Sequence, residues 1–113
     1  MIEDIIRLNS LYDYYGKLLT DNQKQSFYYY YRMDYSLSEI AELIGISKQG
    51  VSDNLKRATK ELEFYEENLK LAKKSTSIKG FLNQIESITS REDNQENIEI
   101  SNLVKKIEKE LED

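Results

Sequence analysis

Residues Ser36–Leu62, SLSEIAELIGISKQGVSDNLKRATKEL, decide the fold. The stretch reads as a helix-turn-helix. A short helix is predicted from about Leu37 to Ile44, a tight turn through Gly45, Ile46 and Ser47, and a longer helix from Lys48. Ser36 with Glu39 three residues on makes a capping box, in which the two side chains satisfy free amides reciprocally. Gly45 stands where a helix end needs a left-handed residue, which glycine adopts without steric cost. Ser47 is a good N-cap for the second helix. Ile40, Leu43 and Ile44 share one side of the first helix, and Val51, Leu55, Ala58 and Leu62 recur at helical spacing on the second. Ala41 is small where the two helices are expected to cross closely.

Working outward, the N-terminal flank predicts two more helices. Ile5, Leu8, Leu11, Tyr12, Tyr15 and Leu19 line one face of a helix from about Ile2 to Leu19. Gly16 weakens its last turn or admits another backbone. Thr20 with Gln23 is a second capping box. The helix that follows carries Phe27 and the run Tyr28-Tyr29-Tyr30-Tyr31, which covers every side of a helix. Such rings stack on bases when exposed; more often they pack inward and leave their hydroxyls in water. Asp34-Tyr35 makes the turn into the motif.

On the C-terminal flank, Tyr65, Leu69 and Ala72 extend the apolar stripe, so the long helix is expected to reach Lys73 or Lys74. Glu63, Glu66 and Glu67 form an acidic patch on it, which confines any phosphate contact to its N-terminal half. Ser75-Thr76-Ser77 reads as a break and a new cap. Ile78, Phe81, Leu82, Ile85 and Ile88 then share one face. The polar segment 89–97 is a loop, and Ile100, Leu103, Val104, Ile107 and Leu111 mark a last helix. The expected organisation is a domain over residues 1–74 and a helical appendage over 75–113 that folds back or forms a homodimer. Apolar stripes of this size leave a sizeable patch if neither happens.

Composition narrows the function. With 113 residues, no proline and four glycines, the chain suits an all-α fold. Cysteine and histidine are absent, which removes disulfides, thiolate metal sites, the usual general base and the commonest metal ligand. No phosphate-cradling glycine loop or carboxylate cluster replaces them, so neither an enzyme nor a cofactor is expected. No apolar run approaches the roughly 20 residues that span a bilayer, and no signal-peptide pattern opens the sequence. A cytoplasmic protein is expected.

The net charge of −5 argues against a polyanion partner until its distribution is considered. Residues 1–75 carry 11 basic and 12 acidic groups, and residues 76–113 carry 5 and 9. Between Ser47 and Lys60, Lys48, Lys56, Arg57 and Lys60 face a single anion, Asp53. A local basic footprint suits nucleic acid even on an acidic molecule. In the usual docking geometry the second motif helix enters the major groove N-terminus first. Ser47, Lys48, Gln49, Ser52, Asp53 and Lys56 are expected to face outward. Lys48 suits guanine or phosphate, and Gln49 suits adenine. Arg57 and Lys60 suit phosphates. Ser36 and Ser38 are placed to bond the nucleic-acid backbone. Asp53 on the reading face opposes this, and Gly50 costs about 1 kcal/mol against alanine. The plainer reading makes the motif a packing unit alone.

The pattern Leu19-Thr20, Gln23, Tyr31, Asp34, Ser36-Leu37, Glu39-Ile40-Ala41, Gly45-Ile46-Ser47, Val51, Leu55 and Arg57-Ala58 resembles region 4 of sigma factors, the helix-turn-helix that reads promoter elements. A closer resemblance is to the YlxM family of small bacterial helix-turn-helix proteins. It is carried by Asn9, Leu11, Asp13-Tyr14-Tyr15-Gly16, Leu18-Leu19-Thr20, Gln23, the stretch DYSLSEIAE from Asp34 to Glu42, Ser47-Lys48-Gln49, Val51, Asp53-Asn54 and Tyr65-Glu66. It covers roughly the first 70 residues. The chain departs from the family at Lys48, where arginine is frequent, and at Gly50 and Ser52, where bulkier residues occur.

The resemblance implies an all-α, sigma region 4-like helix-turn-helix bundle with a two-helix appendage. It also implies a DNA-binding regulator whose gene neighbours encode the signal recognition particle machinery. The expected ligand is promoter DNA or the particle's RNA, met by Ser47, Lys48, Gln49, Ser52, Lys56, Arg57 and Lys60. The alternative is a non-catalytic interaction module that docks on the particle's GTPase subunit through the tyrosine-rich face or the C-terminal helices.

Overall fold

The computed structural model describes residues 2–112, with the side chains of Ile2 and Glu3 outside the described set. Its described residues form six α-helices: α1 (Ile2–Tyr15), α2 (Asp21–Phe27), α3 (Leu37–Ile44), α4 (Lys48–Leu69), α5 (Leu71–Thr89) and α6 (Gln95–Leu111). The chain divides into two compact units, residues 1–72 and 73–113.

In the first unit, α1 stops at Tyr15 and a 3₁₀ turn covers Gly16–Leu18. The helix expected to reach Leu19 therefore ends four residues early. A Cβ on buried Gly16 would lie 3.1 Å from the Tyr12 ring, so the glycine makes room for that side chain. Tyr12 stacks on Phe27 at 4.6 Å, and the Arg32 guanidinium lies 4.8 Å above its ring. Arg32 also donates to the Asn9 side chain and carbonyl, each at 3.0 Å, and to Asp13. Arg7 grips Glu63 with two bonds of 2.9 and 2.7 Å, tying α1 to α4.

The Thr20–Gln23 capping box opens α2 as expected. After Phe27 the helix widens into a π-helical turn over Tyr28–Arg32, closed by the Met33 amide donating to the Tyr28 carbonyl. The wider turn splits the tyrosine run. Tyr29 and Tyr31 pack against buried residues, whereas Tyr28 and Tyr30 stay exposed. The inward-packing reading thus holds for half of the run.

Two buried clusters hold this unit. Leu11, Tyr15, Leu19, Phe27, Ala58 and Leu62 form one, and Ile40, Val51 and Leu55 form the other. The stripe Val51, Leu55, Ala58, Leu62 is buried throughout, as its spacing predicts. Leu43 and Leu69 are exposed, contrary to the sequence reading, and so is Ile5.

The expected end of the long helix moves most. α4 stops at Leu69, Lys70 turns left-handed (φ 57°), and α5 runs unbroken through Ser75-Thr76-Ser77, where a break was expected. The cause is tertiary. Buried Tyr15 donates its hydroxyl to Glu66 Oε1 at 2.6 Å, the Leu71 amide donates to the Tyr15 oxygen at 3.0 Å, and the Ala72 amide donates to Glu66 at 3.1 Å. Amides in the first turn of α5, which no carbonyl of their own helix can satisfy, thus find acceptors in α1 and α4. Glu66, read from sequence as part of a surface acidic patch, is interior.

The second unit is a helical hairpin. Its loop is shorter than the expected 89–97, because Asn94 caps α6 by accepting from the Asn97 amide at 2.8 Å. Thr89 and Ser101 hydroxyls meet at 3.1 Å. Leu82 and Val104 are buried, while Ile78, Phe81, Ile85, Ile88, Ile100, Leu103 and Ile107 remain exposed. Among the described residues no helix is long and apolar enough to cross a membrane.

Candidate nucleic-acid interface

The turn between α3 and α4 takes its shape from three residues. Ser36 accepts from the Glu39 amide at 3.1 Å and its own amide donates to the Glu39 carboxylate at 3.1 Å, which fixes the start of α3. That reciprocal pair holds the Glu39 carboxyl below the usual carboxylate range, the Ser36 backbone amide contributing most. Gly45 is left-handed at φ 74°, with no atom within 4 Å of where a Cβ would sit. Ser47 caps α4 by accepting from the Gly50 amide at 2.9 Å.

Gly50 gains a purpose here. A Cβ at this position would come within 3.1 Å of the capping Ser47 Oγ. The glycine leaves that cap uncrowded, which offsets part of its helix-propensity cost.

From this start, buried Val51 and Leu55 pin one face of α4 and so determine what the other face presents. Ser47, Lys48, Gln49, Lys56, Arg57 and Lys60 are exposed, and Ser52 and Asp53 are half-exposed. Gln49 donates its amide to Asp53 Oδ1 at 3.1 Å. The anion that stands against a polyanion partner is therefore engaged one helical turn away, and the Gln49 carbonyl stays free of that bond. Among the described residues, the ion pairs Arg7–Glu63 and Arg32–Asp13 occupy two other cations, and none of Lys48, Lys56, Arg57 and Lys60 is paired with a carboxylate. All seven site residues named from the sequence thus lie on one helix and its cap, within four turns. Among the described residues no group of three or more carboxylates or other ligating side chains is placed to hold a metal.

The sequence matches, over residues 2–104, the UPF0122 family, described as "Putative helix-turn-helix protein, YlxM / p13 like". The chain belongs to this family. Some UPF0122 relatives match nearly all of it. A UPF0122 protein of Thermoanaerobacter sp. (strain X514) is 44% identical over 114 residues, spanning 100% of this chain and 97% of the relative. The UPF0122 protein YlxM of Bacillus subtilis (strain 168) is 42% identical over 108 residues, 96% of each chain. A UPF0122 protein of Caldanaerobacter subterraneus subsp. tengcongensis is 57% identical over 74 residues, 66% of this chain and 63% of the relative. The family match runs past α5 into α6, so the helical hairpin, which the sequence resemblance left out beyond roughly residue 70, falls mostly within it.

Proposed function

We propose that this UPF0122 protein is a nucleic-acid-binding regulator that meets a polyanion with the first turns of α4. Residues 1–74 would be the binding domain and residues 75–113 a dimerisation appendage, in a cytoplasmic protein. The supporting observation is the row of exposed cations Lys48, Lys56, Arg57 and Lys60 without carboxylate partners among the described residues. Lys48 and Gln49, nearest the helix start, suit base edges, and Ser47 and Ser52 suit either base or phosphate. Lys56, Arg57 and Lys60 suit phosphates. The family resemblance supports a role in the signal recognition particle pathway, with promoter DNA or the particle's RNA as ligand.

A fluorescence-anisotropy titration at several salt concentrations tests this. Replacing Lys48, Lys56 and Lys60 together by alanine removes as many as three phosphate contacts and lowers the slope of log K against log salt by up to about 2.7. Unchanged affinity and slope overturn the reading.

A second reading has its own supporting observation, the exposed apolar face of the α5–α6 hairpin. Here the protein docks on the particle's GTPase subunit without touching nucleic acid. A pull-down that resists nuclease and is lost on deleting residues 76–113 favours it.

A further inference from the structure

We infer that the groove between the π-helical turn and α3 is a docking site for a cationic, partly apolar segment of another protein. Two open clefts of about 460 and 500 Å³ both have Tyr35 and Glu39 in their walls and together make up this surface. Ile5, Tyr30, Tyr31, Asp34 and Ser36 also line the first, and Glu42 and Leu43 also line the second. Three tyrosine rings and two aliphatic side chains give it apolar walls. Three carboxylates give it one sign of charge, and among the described residues no lysine or arginine lines it.

The walls are held in place. Tyr35 stacks on Tyr29 at 5.3 Å, and Tyr30 meets Tyr31 edge-on at 5.0 Å. The π-helical turn re-aims these rings, and such turns are frequent at functional sites. Asp34 is held left-handed at φ 58° beside them. Leu43, on the outer face of α3, is 54% exposed.

Charge complementarity selects the occupant. The carboxylates of Asp34, Glu39 and Glu42 repel a nucleic-acid backbone here, which sets this surface apart from the cationic face of α4. Tyrosine faces attract lysine and arginine, and carboxylates accept their hydrogen bonds. An amphipathic helix with Lys or Arg on one side and Leu on the other fits both wall and charge. The proposal stands whether or not α4 binds nucleic acid.

The probe is a 14-residue peptide of Lys and Leu at helical spacing, with a Glu/Leu peptide as counterpart. Each is titrated into the ¹⁵N-labelled intact chain and followed by amide shifts. The Lys/Leu peptide is expected to shift residues 30–43, and the Glu/Leu peptide to shift none of them. Asp34→Asn keeps a residue that tolerates the left-handed backbone, and Glu42→Gln keeps the side-chain length. Together they are expected to weaken binding at least fivefold while leaving the unfolding midpoint unchanged. Leu43→Ala is expected to weaken it independently. Shifts confined to α5 and α6, equal response to both peptides, or undiminished binding by the double variant would each overturn the assignment.

Discussion

The Tyr15 hydroxyl donates to Glu66 Oε1 at 2.6 Å, inside the protein and across 51 positions of sequence. The same hydroxyl accepts from the Leu71 amide, and the same carboxylate oxygen accepts from the Ala72 amide. Two side chains thereby join α1 to α4 and set where α5 begins. Tyr15→Phe removes the donor to a buried carboxylate and orphans the Leu71 amide. Loss of a hydrogen bond to a charged group predicts a cost of about 2 kcal/mol, read as a lower urea midpoint with little change in slope.

Alkaline pH acts on the same region. Burial pushes the hydroxyls of Tyr12, Tyr15 and Tyr31 above the usual tyrosine range, and for Tyr15 the bond to Glu66 adds to this. The folded chain therefore holds these protons more tightly than the unfolded chain does. Their contribution to stability is complete below about pH 10, the unfolded value. It falls as pH rises beyond that, through the higher folded values. Thermal unfolding across pH 8 to 11 should show a flat region followed by a decline, and Tyr15→Phe should make the decline shallower.

Gly45 gives a cleaner backbone test. Nothing lies within 4 Å of a Cβ there, so Gly45→Ala meets no clash and pays only for the left-handed conformation. A loss of about 1 kcal/mol is expected, and Gly45→Asn should lose less, because asparagine tolerates that region. A steric origin would make asparagine the worse of the two.

What local patterns encode, the sequence revealed: Ser36 with Glu39, Thr20 with Gln23, the Gly45–Ser47 turn, and the stripe from Val51 to Leu62. These depend on neighbours within about one helical turn, so their chemistry is visible in one dimension. The helix end at Leu69–Lys70 is invisible to local pattern because Tyr15, far off in the chain, helps to make it. The burial of Glu66 is hidden for the same reason, since a glutamate on a charged helix gives no local sign of it. The tyrosine run was ambiguous because its π-helical turn departs from the regular period on which facing arguments rest. For the candidate site, the outward set on α4 was legible because its apolar face was. The Gln49–Asp53 bond was not anticipated, although an i, i+4 spacing signals it.

The hairpin carries a prediction about assembly. Phe81, Ile88 and Leu103 are 62%, 60% and 57% exposed, which suits a face shared with a second copy. Light scattering at micromolar concentration should give about twice the 13.4 kDa of one chain. Phe81→Glu with Leu103→Glu should reduce it to a single chain, with α5 and α6 still helical by circular dichroism. A single-chain mass for the unmodified protein removes the dimer.

The most direct measurement is recovery and sequencing of nucleic acid crosslinked to the protein in cells, run beside the Lys48→Ala/Lys56→Ala/Lys60→Ala variant. An exposed row of cations on α4, without carboxylate partners among the described residues, predicts DNA or RNA fragments enriched over background with the native chain and largely lost with the variant. Nothing above background, or equal recovery from both, contradicts contact through that helix.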